Sequence, residues 1–234
     1  MLYSTVMKKE QLSAERVKRG WSQKEVARRL GVSQPYVGML EQGKRLVTGA
    51  IARKLTSVCH FSPALLPPTP AGPRQTRAPR LAEDLASLGY PGYAYLRPRV
   101  ARKNPGAVLL TALGQNDLEP RLVEALPWLL LEYWEMDFTW LVTQAKTLDL
   151  QNRLGFVANL ARRVSEKGQD NARTRALSEL EATLDRSRLV REDNLMRSPR
   201  NDVERRWLMQ NRPEEARHWN LVTDLRPEHL GYNG

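Results

Sequence analysis

The sequence predicts an all-α fold in which a small basic amino-terminal domain is joined by a Pro/Arg-rich linker to a larger helical domain. Three observations predict it. Residues 1–66 hold short helical periods broken by Gly20, Gly31, Gly43 and Gly49, and from residue 81 onward the chain is helix-rich and strand-poor. Between them, residues 67–80 (PPTPAGPRQTRAPR) contain five prolines in fourteen positions and no apolar period. Such a stretch favours extended, spacer-like backbone. Finally, the net charge of +11 is unevenly divided: +8 over residues 1–66, +5 over 67–106, and −2 over the rest. Basicity confined to the front half is the footprint of a polyanion-binding module attached to a neutral body. The domains expected are therefore 1–66, a linker over 67–80, and 81–234.

The composition, 41% apolar and 27% charged, is that of an ordinary globular chain. No apolar run approaches the roughly 20 residues that span a bilayer. Residues 1–9 lack the apolar segment of a signal peptide, so the expected location is the cytoplasm, with no membrane partner. The one cysteine, Cys59, reads as a small core residue. His60, His218 and His229 lie at no metal-ligand spacing, and no Ser- or Cys-centred nucleophile motif occurs. No catalytic residue, metal or cofactor is expected, and the chain does not read as an enzyme.

The motif that carries most information is RVKRGWSQKEVARRLGVSQPYVGMLEQGKR, residues 16–45. Ser22 with Glu25 three positions on forms a capping-box pattern. Val26, Ala27 and Leu30 place apolar groups on one face of a two-turn helix, and Ala27 leaves room for a second helix to cross closely. Gly31 supplies the tight turn and Val32 a plug between helices. Ser33 caps the next helix, whose Val37 and Leu40 face inward. Gln34, Pro35, Tyr36, Gly38 and Met39 then face outward near that helix's amino end.

This stretch resembles the Cro/repressor-like helix-turn-helix family, also called the xenobiotic-response-element type, over about residues 8–66, with thirty positions in register. The resemblance implies a small repressor-like helix-turn-helix domain binding double-stranded DNA in the major groove. It implies a structural ion pair between Arg16 and Glu41, and a phosphate contact from Gln23 at a helix amino end. Gln34, Pro35, Tyr36, Gly38 and Met39 fall where the family meets bases, and Gln42, Lys44 and Arg45 where it meets the sugar–phosphate chain; Ser33, at the helix cap, is counted with the DNA-binding residues. Trp21 stands where Leu is usual. Gly38 and Met39 replace polar readers, so direct readout is expected to rest on Gln34 and Tyr36.

Flanking this domain are two further sets of cations. Arg74, Arg77 and Arg80 in the linker are either solvated or an arm contacting phosphates or a minor groove. Arg97, Arg99, Arg102 and Lys103 form either an exposed loop or an added backbone contact.

The body is expected to run as follows. A helix over 81–88 stops at Gly89, and a loop over 90–105 packs Tyr90, Tyr93 and Tyr95 down. A short apolar run over 108–113 precedes a helix capped by Asp117, and Pro127 starts or kinks the next. Amphipathic segments cover 138–148, 154–164, 172–191, 202–211 and 214–225. Trp128, Trp134, Phe138 and Trp140 with Glu132, Glu135 and Asp137 form either core with a wet acidic edge or a face for a basic partner. Those acids make a poor metal site, since no histidine lies nearby. Asn152, Arg153, Gly155 and Phe156 resemble the helical bodies of regulators encoded beside AbiEii-type nucleotidyltransferase toxins, which implies an antitoxin-like or autoregulatory role. The readings expected are thus a homodimeric transcriptional regulator, with residues 202–234 either reaching a second chain or packing back, or an antitoxin bound to a partner protein.

Overall fold

The amino-terminal unit is built from short helices because its glycines and caps end each apolar period within two or three turns. In the computed structural model, which describes residues 9–68, 78–97, 100–195 and 198–230, these are α1 (Lys9–Lys18), α2 (Gln23–Leu30), α3 (Gln34–Glu41) and α4 (Gly49–Ser57). A 3₁₀ turn at Pro63–Leu65 follows. Leu12, Val26, Ala27, Leu30, Val37, Leu40, Leu55, Cys59, Phe61 and Leu65 close into one core. Full burial of each Leu or Phe contributes on the order of 2 kcal/mol. Cys59 is buried as expected, and burial pushes its thiol pKa up. This unit also includes a segment distant in sequence, Ala101–Pro105. There the Asn104 amide donates to the carbonyls of Ala64 (3.1 Å) and Leu66 (2.8 Å).

The second unit comprises α5 (Ala78–Leu88), α6 (Pro105–Leu113, from Gly106), α7 (Pro120–Glu132), α8 (Phe138–Thr147), α9 (Gln151–Lys167), α10 (Asn171–Asp185), α11 (Asp202–Asn211) and α12 (Glu214–His218). Its axis is α9, packed by α7, α8, α10 and α12. Every residue from 151 to 161 is buried, the pattern of a helix enclosed on all sides. That stretch contains Asn152, Arg153 and Asn159, so its polar groups must find partners inside. Arg153 forks onto both oxygens of Asp193 (2.7 and 2.8 Å) and also donates to the carbonyls of Leu113 and Gln115. Asn152 exchanges two hydrogen bonds with the backbone of Leu189. Asn159 and Arg162 share the Glu181 carboxylate. Trp219, fully buried, packs directly against Gly155, where an added Cβ would fall 2.3 Å from the indole.

Several expectations change. The helix expected to start at Asp117 starts at Pro120 with Glu119 at its cap, and it runs through Pro127 to Glu132. The expected segment 172–191 ends at Asp185. The segment 214–225 is helical only to His218, and Leu221–Val222 (β2) then pairs in parallel with Asp193–Asn194 (β1). Two-residue strands carry no detectable alternation, which is why periodicity missed them. Tyr90 and Tyr93 pack down, with burial pushing the Tyr93 phenol to about 12, whereas Tyr95 is 68% exposed. Of the aromatic cluster, Trp128 is buried while Trp134, Phe138 and Trp140 are half-buried. Of the expected linker, residues 69–77, with Arg74 and Arg77, lie outside the described residues, and Arg80 sits in α5.

Two measurements check the body's construction. Gly155→Ala drives a methyl group into Trp219 and should destabilise the fold by about 2 kcal/mol or more in denaturant unfolding. Asp193 is pushed up by burial, but the Arg153 hydrogen bonds and charge outweigh this and hold its carboxyl below the ordinary 3.8. A lowered folded pKa gives stability that is complete above the ordinary carboxylate range and lost as pH falls through the folded value. Unfolding followed below about pH 4 should therefore show an acid loss that Asp193→Asn reduces.

Candidate nucleic-acid interface

The α2–turn–α3 pair positions this surface. Ser22 Oγ accepts the Glu25 N–H (3.1 Å) at the start of α2, and Ser33 Oγ accepts the Tyr36 N–H (3.4 Å) at the start of α3. The Glu25 carboxylate, expected to return to Ser22, binds Arg28 and Arg29 instead. The Arg28 hydrogen bonds are the main reason its pKa lies below normal. Gly31 turns the chain at a φ of 70°, a left-handed conformation that glycine adopts without a Cβ clash. The Val32 N–H returns to Ala27 O at 3.0 Å. Lys54, from α4, caps the end of α2 by donating to Leu30 O at 2.9 Å.

Arg16 and Glu41 meet as the resemblance implied. Arg16 Nε and Nη2 donate to the two carboxylate oxygens at 2.6 and 3.2 Å, and Nη1 donates to Trp21 O at 2.8 Å. The Glu41 side chain is only 6% exposed. Gln23 extends the array: its Nε2 donates to Glu41 (2.8 Å), and its Oε1 accepts from Gln34 Nε2 (2.7 Å). One continuous chain of polar contacts thus runs from α1 through Glu41 and Gln23 to Gln34 on α3. The resemblance implied the Arg16–Glu41 pair, but nothing in the sequence indicated that Gln23 joins Glu41 to Gln34.

The outward set is placed unequally. Ser33, Gln34 and Pro35 are exposed at the amino end of α3, and Met39 is half-exposed. Tyr36, expected to face outward, is half-buried and packs against the domain core. Gly38 lies beneath the Gln23 side chain, whose Oε1 would be 3.5 Å from an added Cβ. Past α3, Lys44 N–H and Arg45 N–H fold back onto Met39 O (2.9 and 3.2 Å). Gln42, Lys44 and Arg45 are exposed there. Trp21, the departure from the usual Leu, stacks with Phe61 and carries the Arg29 guanidinium 4.1 Å from its ring centre. A cation over an indole face is an attractive arrangement that a Leu could not make.

This geometry, two capped helices joined at a left-handed glycine with a polar helix end and cations exposed beside it, is matched among known families. Residues 12–66 match the Helix-turn-helix family. The amino-terminal unit is therefore a Cro/repressor-type helix-turn-helix domain, and the chain is a DNA-binding regulator in the general sense. The match ends at residue 66 and does not describe the body. No curated protein and no solved structure matches the chain. Among the described residues, no helix is long and apolar enough to cross a membrane.

Two substitutions probe this site without DNA. Arg16→Ala strands the Glu41 carboxylate and should lower stability by about 3 kcal/mol, the usual cost of breaking a buried pair from one side. Gly38→Ala meets only ordinary contact at Gln23 and should stabilise the domain by about 0.5–1 kcal/mol through helix propensity. Both are read from thermal or denaturant unfolding of the full chain.

Proposed function

We propose that the protein is a sequence-specific transcriptional repressor that binds duplex DNA as a homodimer. The observation that carries this reading is the Gln23–Gln34 contact at the exposed amino end of α3, flanked by Lys44 and Arg45. An amide nitrogen has two hydrogens. Gln34 can keep its bond to Gln23 and still offer one N–H and its oxygen to an adenine edge, the usual bidentate pairing. Gln23, likewise, retains one N–H for a phosphate oxygen while Glu41 holds the other. The reader is thus pre-set, which lowers the ordering cost of binding.

Dimerisation is supported by α11. That helix buries none of its residues, and Val203 (68%) and Trp207 (52%) stand exposed on it. Two copies on half-sites about 34 Å apart double a readout that one α3 supplies sparingly. Residues beyond α11 serve the body itself: Trp219, Leu221 and Val222 are fully or nearly fully buried. The antitoxin-like alternative gains no surface from Asn152, Arg153, Gly155 and Phe156, since all four are buried within the body. No catalytic role is proposed.

The DNA reading is tested by gel shift with the full chain on fragments from its own promoter region. Binding should weaken steeply with salt. Lys44→Ala and Arg45→Ala should weaken all sequences about equally, whereas Gln34→Ala should cost about 1–3 kcal/mol and relax preference at one base pair. A uniform loss on Gln34→Ala sinks its role as reader. For the dimer, light scattering should give twice the chain mass, reduced to one by Trp207→Glu. A wild-type monomer, still single when bound to operator, overturns it.

A further inference from the structure

We infer that Arg102 and Lys103 belong to the DNA-contacting surface, as a basic strap that the chain returns to the helix-turn-helix unit from about forty residues downstream. The inference rests on the reading of that unit as DNA-binding and adds a second, sequence-remote phosphate site to it.

Three observations combine. First, the segment Ala101–Pro105 groups with the amino-terminal unit although the described residues before it, 78–97, group with the body. Second, the attachment is specific. Asn104 is 7% exposed, and its amide donates to two carbonyls, Ala64 O and Leu66 O, at the carboxyl end of the domain. Asn104 and Pro105 are buried while Ala101, Arg102 and Lys103 are exposed. A buried polar anchor immediately beside two exposed cations fixes where those cations sit, whereas an untethered basic loop would leave them spread over many positions. Third, the charge is of one sign. Residues 1–66 already carry +8, and the strap adds two further positive charges and no carboxylate. Added to an already cationic unit, a segment of net positive charge strengthens its attraction for a polyanion, and the phosphate backbone of duplex DNA is the polyanion this unit meets.

The chemistry requires only guanidinium and ammonium donors toward phosphate oxygens, which position the protein and carry no base information. Arg102 and Lys103 should therefore affect affinity and its salt dependence, and leave sequence preference unchanged.

The test uses the full-length protein and a duplex that it binds. Arg102→Gln/Lys103→Gln should lower the slope of log affinity against log salt by up to about 1.8, two contacts at roughly 0.9 each, and weaken binding at least about fivefold near 0.1 M salt. A control, Arg175→Gln/Arg186→Gln, removes the same net charge from exposed positions of the body outside α11. It should leave the slope within about 0.3 of wild type. Asn104→Ala keeps every charge but frees the strap, and should reproduce much of the double variant's loss while the far-ultraviolet spectrum stays helical. If Asn104→Ala unfolds the domain, the glutamine pair alone decides. The strap is overturned if that pair binds like wild type, if the body control loses as much, or if base preference shifts. Failure of the underlying DNA reading looks different: wild-type protein then binds no duplex at any salt.

Discussion

Glu41 is the group on which the geometry of the DNA-binding unit depends. It ends α3 with a side chain almost wholly removed from water, and an ionised carboxylate so placed is tolerated only if paired and hydrogen-bonded. Arg16 from α1 and Gln23 from α2 supply the partners. Three helices are therefore fixed to one another through two oxygen atoms. Apolar packing alone would let α3 slide or rotate slightly at little cost, since Val37 and Leu40 prefer burial without direction. The carboxylate adds direction. Its consequence is local: Gln23, held by Glu41, in turn holds Gln34, so the orientation of that exposed amide is set three contacts away in α1.

The body uses the same device in its own core. Arg153 projects from an enclosed helix and satisfies its donors on Asp193 and on the carbonyls that end α6. Burying a guanidinium is expensive, and replacing such a pair by apolar groups would often be neutral or better for stability. What the pair does here is tie α9 to β1, a strand of two residues that could not hold its place by ladder hydrogen bonds alone. Trp219 completes the arrangement by filling the space that Gly155 leaves. Among the described residues its buried indole N–H has no partner, so close packing there outweighs a penalty of about 1–3 kcal/mol.

How far the sequence exposes this structure depends on the range of each interaction. Helices α2 and α3 were legible to within a residue because caps, the turn glycine and apolar spacing are local signals. The pairing of Arg16 with Glu41 followed from resemblance, not from spacing. Gln23 touching Gln34, Asn104 reaching Ala64, and Gly155 receiving Trp219 join residues 11, 40 and 64 positions apart, and no local pattern encodes them. The extension of α7 through Pro127 was missed for a different reason. Proline penalises a helix interior, but α7 buries seven successive residues from Ala125 to Leu131, and that burial overrides the local preference. Asn152, Arg153 and Gly155 looked like a signature of role, and in place they are internal struts.

Magnitudes decide what kind of readout α3 can support. In the reading proposed above, with Tyr36 packed partly against the core and Gly38 under Gln23, direct polar reading falls mainly to Gln34. One bidentate contact discriminates by about 1–3 kcal/mol. Selecting one site among roughly a million or more competitors requires a ratio worth on the order of 8 kcal/mol. Two copies of the domain bring the direct contribution to about 2–6 kcal/mol, still short of that figure. A repressor of the kind proposed must draw the difference from apolar contact by Met39 and from the shape and deformability of the DNA it grips. Shape is read through the phosphates, and only a protein whose phosphate contacts are held at fixed spacing can sense it. The backbone turns at Lys44 and Arg45 provide such fixed points, and a tethered cation is worth more to this kind of recognition than a mobile one of equal charge.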